Sequence, residues 1–210
     1  MELILASQSP RRAQLLGEIG LQFSTCVPDV DETPHPAEPP VAYVERLAQA
    51  KARRGFAIAS ADRAGGESIV VLGADTIVVV SHNSTGDEIL GKPGGPTETM
   101  TMLAKLSGRA HQVHTGVALT DGERCESTVV TSTVHFRTLS AAEMQAYCDT
   151  GEGADKAGSY GIQGIGGIFV ERIEGSFSGV MGLPVLETET LLQMLNVDTW
   201  SMRDQWLKSS

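Results

Sequence analysis

Apolar residues come in short blocks along the chain, and their spacing changes from block to block. Residues 2–6 form a continuous apolar run that predicts a buried strand. Over 10–19 the spacing becomes helical, with Leu15, Leu16 and Ile19 on one face and Ser9-Pro10 as the helix start. A Pro-rich, acidic stretch over 27–40 reads as loop. Residues 41–58 return to helical spacing, with Val41, Val44, Leu47 and Ala48 on one side. The most apolar stretch, 68–80, suits one or two central strands interrupted at Gly73-Ala74-Asp75-Thr76. A helix over 96–107 ends at Gly108. Strands over 111–120 and 124–137 are joined at Asp121-Gly122. Ser140 and Glu143 form a capping box for a helix near 141–149. Residues 151–167 hold seven glycines and read as a functional loop. A strand near 167–173 follows, and Leu183-Pro184 opens a last helix to about Leu195. This alternation predicts an α/β fold with a mixed sheet flanked by helices.

Several residues break the pattern. Arg11 and Arg12 sit at a helix N-terminus, where the dipole favours anions, so they either point into water or surround a bound anion. Lys51 falls inside the apolar stripe of its helix. It is either a snorkelling lysine at the core edge or a cation reaching a buried anion site. Asp75 interrupts the most apolar run, as a turn-capping residue or as a metal ligand or general base. Lys92, in Gly91-Lys92-Pro93, is not part of a P-loop. Lys156 opens the Gly-rich segment, whose backbone either presents N–H groups to phosphates or merely makes a mobile connection.

Composition narrows the choice. The 210 residues carry a formal net charge of −10, with 41% hydrophobic and 20% charged residues. An acidic chain without a basic stripe argues against nucleic-acid and membrane-surface binding, and makes each clustered cation informative. Three cysteines without metal-type spacing suit a reducing compartment. No signal-peptide pattern or transmembrane-length run is present, and the sequon Asn83-Ser84-Thr85 reads as chance. His111 and His114 lie three apart on a strand and face opposite sides, so they share no metal. There is no G-x-S-x-G elbow, and GIQGIGG is not a dinucleotide fingerprint. What stays is Arg11, Arg12, Lys51, Lys92 and Lys156 as cations, with Glu32 and Asp75 as hard oxygen donors. That set suits a polyphosphate held with a divalent cation.

Seven motifs then appear in order: S-x-S-P-R-R at the start, R-L-A-x-x-K-A at 46–52, G-A-D-T at 73–76, L-G-K-P at 90–93, L-S-G at 106–108, D-K-A-G-S-Y-G-I-Q-G at 155–164 and G-L-P at 182–184. Together they resemble the Maf family of nucleoside triphosphate pyrophosphatases. The resemblance covers residues 2 to 195 and implies one domain of two lobes with a central cleft, related to the inosine-triphosphate pyrophosphatases, followed by a polar tail over 196–210. It implies hydrolysis of a nucleoside triphosphate to the monophosphate and pyrophosphate, a divalent cation (Mg²⁺ or Mn²⁺), a cytoplasmic location and a homodimer. By the same resemblance Asp75 is the proton acceptor or a metal ligand, and Glu32 is a metal ligand. Arg12, Lys51 and Lys92 inherit the phosphate cleft; Ser7 and Ser9, at the start of the first helix, and Lys156, opening the Gly-rich segment, are expected as further phosphate contacts. Arg11, Thr76 and Gln163 match the branch acting on dTTP and UTP. The rival readings are hydrolysis of 7-methyl-GTP and a nucleotide-binding regulator of cell division.

Overall fold

The structure is a computed structural model that describes residues 1–61, 68–82 and 86–203. The sequon at 83–85 and the chain end beyond 203 lie outside the described residues. The first strand, β1 (Glu2–Ala6), buries Leu3 to Ala6 on both faces. It pairs in parallel with β2 (Ser24–Cys26) and with β3 (Ile69–His82), Leu5 lying opposite Leu72. A strand covered on both faces is apolar throughout, which is why residues 3–6 show no alternation. The seven-stranded sheet has the order β2-β1-β3-β5-β6-β7, with β5 at Ala110–Thr120, β6 at Cys125–Phe136 and β7 at Val170–Glu174. β4 (Gly86–Leu90) pairs antiparallel with β3, and β7 antiparallel with β6, so the sheet is mixed as expected.

The chain divides into two compact units. The first holds Met1–Asp75, Thr115–Val129 and Gly182–Ser210; the second holds Thr76–His114 and Val130–Met181. In the first unit, α1 (Pro10–Glu18) begins as predicted, with Ser9 as N-cap and Pro10 inside the first turn, and buries Leu15 and Leu16. The Ser9 side chain makes no cap bond; its backbone N–H donates to Ser7 Oγ at 3.1 Å. Helix α2 (Pro40–Ala61) buries Val44, Leu47, Ala48, Lys51 and Ala52. Val41, expected on that face, is exposed, because it lies in the first turn beyond the edge of the buried stripe. Helix α6 (Val185–Met194) follows Pro184, and after it Val197 and Thr199 are buried while Arg203 donates to Glu189 and to the carbonyl of Ile19.

β3 differs from expectation: it runs through Gly73-Ala74-Asp75-Thr76 without interruption. The glycine serves packing, not a turn. A Cβ at Gly73 would stand 2.4 Å from the Ala48 carbonyl oxygen and 2.4 Å from the Ala52 nitrogen, and one at Gly116 on β5 would stand 2.5 Å from the Val44 carbonyl oxygen. Helix α2 therefore lies with its backbone directly on the sheet, over a layer of Ala48, Ala52 and Ala118.

In the second unit, α3 (Pro96–Leu106) and α4 (Ala141–Thr150) pack Met102, Leu103, Leu106 and Tyr147 against Val134, Phe136, Tyr160 and Phe169. The Ser140–Glu143 capping box is present in both directions. Gly108 has φ +67, as a helix-ending glycine should. The Gly-rich stretch runs on to Phe169 as short 3-10 turns, so β7 starts at Val170, later than predicted; the short helix α5 (Phe177–Met181) was not foreseen. His111 and His114 are both buried. His111 Nε2 meets the Tyr160 hydroxyl at 2.9 Å, and its ring stands edge-on to Phe136 and Tyr160.

Two outcomes are expected. Gly73→Ala lowers the thermal midpoint by an overpacking cost of about 1–3 kcal/mol, whereas Gly17→Ala on α1, where nothing stands within 4 Å of the new methyl, leaves it unchanged or raises it. Burial, with a smaller contribution from His135, pushes the His111 pKa down to about 4. The unfolded chain then binds this proton between pH 6.5 and about 4 while the folded chain does not. Stability from this group is complete above pH 6.5 and falls as pH drops toward 4, by on the order of 3 kcal/mol. Denaturant midpoints of His111→Phe should fall less steeply over that interval than those of the unaltered protein.

Candidate active site

Most of the out-of-pattern residues gather in the first unit. Because only glycines and alanines separate α2 from the sheet, Lys51 reaches the strand directly. Its Nζ lies 2.7 Å from Asp75 Oδ1 and 2.6 Å from Glu32 Oε1. The Lys51 and Asp75 side chains are 11% and 12% exposed, whereas Glu32 is 56% exposed, so the ammonium joins one carboxylate from inside to one from the rim. Gly73 and Asp75 share a face of β3, the face toward α2, and the pleat turns Thr76 to the other. Lys51 is thus an interior cation with two anionic partners, not a snorkelling side chain, and Asp75 caps no turn.

Glu32 comes from a loop that its helix holds down. The Tyr43 hydroxyl donates to the Glu32 carbonyl at 2.8 Å. Arg46 grips both oxygens of Glu38, at 2.6 and 2.7 Å, and donates to the Thr33 carbonyl. The Arg46 bond holds the Glu38 carboxyl down at about 2. Burial raises the Tyr43 pKa, and the charges of Asp75 and Glu32 raise it further. Sequence reasoning missed both residues, although Arg46 opens the R-L-A-x-x-K-A motif and was a visible signal.

Arg12 answers the question of cations at a helix N-terminus. Its Nε donates to the carbonyl of Gly182 at 2.8 Å and its Nη1 to Ser7 Oγ at 3.1 Å. The bonds join S-x-S-P-R-R to G-L-P, motifs 170 residues apart. Burial lowers the guanidinium pKa, Asp75 and Glu32 oppose the shift, and Arg11 adds to it. An arginine stays charged regardless. Arg12, Asp75, Glu32 and Arg11 therefore lie within one electrostatic neighbourhood. Arg11 is half-buried beside it.

Lys92, Lys156 and Gln163 belong to the second unit. Lys92 follows β4 and is exposed, and the neighbouring Gly91 carbonyl accepts from the N–H of Gly158 at 3.1 Å, which joins L-G-K-P to the Gly-rich motif. Lys156 turns its ammonium onto Asp155 at 2.6 Å and onto the Glu152 carbonyl. Gln163 is exposed.

Two carboxylates, Glu32 and Asp75, are hard oxygen donors of the kind Mg²⁺ and Mn²⁺ take together with phosphate oxygens. They already converge on one cationic group, so the residues fit a divalent ion that completes its shell with substrate and water. Among the described residues no group of three or more His, Cys, Asp and Glu side chains is placed to hold a metal by itself.

A buried lysine–aspartate pair in a unit that also holds a cation-rich helix start suits an enzyme that works on phosphoric anhydrides. The chain belongs to the Maf family: the family described as Maf-like protein matches residues 2–195. It is 50% identical over 195 residues, 93% of this chain and 97% of the relative, to a protein of Pseudoalteromonas atlantica named dTTP/UTP pyrophosphatase. Proteins of the same name from Hahella chejuensis and Vibrio cholerae are 48% and 50% identical, covering 95% and 91% of this chain and 94% and 96% of theirs. Among solved structures, the Ham1 protein of Staphylococcus aureus aligns at 18% identity over 64% of this chain and 70% of that one, with a TM-score of 0.37.

Lys51→Met should destabilise the protein by about 3–5 kcal/mol, since it strands the buried Asp75 carboxylate, whereas Asp75→Asn should cost less, because Lys51 keeps Glu32 at 2.6 Å. Removing both should cost less than the sum, by at least about 1 kcal/mol in a double-mutant cycle read by denaturant unfolding.

Proposed function

We propose that this chain is a nucleoside triphosphate pyrophosphatase that hydrolyses dTTP and UTP to the monophosphate and pyrophosphate. The observation that supports it most is the arrangement of Lys51 between Asp75 and Glu32, within the electrostatic reach of Arg12. The relatives at 47–50% identity that bear the name dTTP/UTP pyrophosphatase support the same substrates.

In this reading the triphosphate lies at the N-terminus of α1. Ser7, Ser9 and Arg12 receive its oxygens, and Lys51 turns from its carboxylates to the phosphates. Lys92 and Lys156 are assigned phosphate contacts on the motifs that carry them; Lys156 must then release Asp155. Asp75 accepts the proton of a water that attacks the α-phosphorus. The bond from that phosphorus to the bridging oxygen breaks, and pyrophosphate leaves with its charge balanced by Arg12 and Lys51. Glu32 and Asp75 would hold a divalent cation, which when bound would add positive charge beside the phosphate oxygens. Arg11, Thr76 and Gln163 select the base; the Gln163 amide both donates and accepts, as a pyrimidine edge requires. On the family resemblance the enzyme is a cytoplasmic homodimer. No helix among the described residues is long and apolar enough to cross a membrane.

Turnover of a nucleotide panel with pyrophosphate detection tests the reading. Asp75→Asn should lose at least about 100-fold in kcat, and wild-type turnover by a folded Asp75→Asn protein would sink the proposal. Arg12→Ala should depress kcat/KM on every nucleotide by about 100-fold or more. Arg11→Ala should instead reorder the nucleotides, with a smaller change in the best rate.

A further inference from the structure

The Gly-rich segment is not a loose connection. It is cast around one carboxylate that neither the motifs nor the proposed chemistry uses. Glu152 accepts from the N–H of Ile165 at 2.7 Å, from the N–H of Gly166 at 2.9 Å and from the Tyr147 hydroxyl at 2.9 Å. The Tyr147 oxygen in turn accepts from the N–H of Gly161 at 3.1 Å. The Tyr147 ring is buried and stands edge-on to Phe169, 5.0 Å between centroids. Burial works against the charged form of Glu152, but the N–H donors, the hydroxyl and Lys156 prevail and hold its carboxyl below the ordinary value.

These bonds fall on Gly161 at one side and on Ile165 and Gly166 at the other. Between them lie Ile162, Gln163 and Gly164. The Gly164 N–H closes back onto the Gly161 carbonyl at 3.3 Å, and Ile162 packs against the apolar core of the unit. Gln163 stands exposed at the crest. An exposed glutamine on a glycine-rich backbone has little to orient it except the fixing of that backbone.

We propose that Glu152, acting with Tyr147, is a positioning residue for nucleotide selectivity, clamping the turn that presents Gln163. The proposal rests on the reading above, in which Gln163 meets the base. Glu152 touches no substrate in this scheme; it determines where Gln163 is. Only a group that accepts three hydrogen bonds at once fills the role. Glu152→Gln keeps the size but turns an NH₂ toward backbone donors. Tyr147→Phe keeps the packed ring and removes the hydroxyl that links the two sides, so it is the variant that preserves the core.

Two measurements on the full chain decide it. In both folded variants, amide hydrogen exchange over 161–166 should accelerate by about 10-fold or more, while exchange in β1 and α2 stays unchanged. The preference for dTTP over GTP in kcat/KM should fall by about 10-fold in Glu152→Gln, mainly through KM, with a smaller fall in Tyr147→Phe. Unchanged exchange overturns the clamp. Faster exchange with unaltered preference overturns its tie to selectivity. No turnover of any nucleotide by the unaltered chain overturns the functional reading instead, and exchange then judges the clamp alone.

Discussion

The close approach of α2 to the sheet is the constraint on which the site depends. An ordinary helix–sheet interface is separated by a layer of large side chains. Here Gly73 and Gly116 face the helix backbone, and alanines fill the rest. That closeness lets a lysine on the helix reach an aspartate on the strand, which would otherwise lose the ammonium 2.7 Å from its buried carboxylate. It also explains why residues 68–80 show a Gly-Ala pair in the middle of a strand. The packing cost at those positions is a condition of the chemistry next door.

Much of this was legible in the sequence. The buried strand at 2–6, the Ser9-Pro10 helix start and the Ser140–Glu143 box are set by local physics and came out as read. Lys51 and Asp75 stood out because a charge in an apolar pattern demands a partner, and they proved to be partnered by each other. The supposed break at 73–76 failed because a glycine inside an apolar run signals either a turn or a close backbone contact, and periodicity does not separate them. Tyr43, Arg46 and Glu152 were missed for another reason. An aromatic on a helix face and a glutamate between glycines look the same whether they anchor a loop or not, and the motif that marks Arg46 does not say what it grips; only long-range contacts reveal the task.

The two units treat their chemistry-bearing residues differently. In the first, cations and carboxylates are paired across helix, strand and loop, so each charge is fixed by elements distant in sequence. In the second, Lys92 and Gln163 are exposed on turns, and order comes from backbone bonds such as Gly158 to Gly91 and from the Glu152 network. A buried charge must be held rigidly because misplacement is costly. An exposed group must be held by its backbone or not at all.

The bond from Arg12 to the Gly182 carbonyl has a bearing on how the protein is made. The first unit is assembled from the two ends of the chain and a middle piece, with the second unit inserted between them. On the ribosome the helix bearing Arg12 emerges before its partner carbonyl, which appears only after all of the second unit's residues. The second unit owes its core to residues 76–181 alone and gains its contacts sooner. A nascent chain therefore has the second unit's loops cast before α1 is anchored, and a product cut short before residue 182 would carry the Lys51–Asp75 pair without the bond that ties Arg12 down.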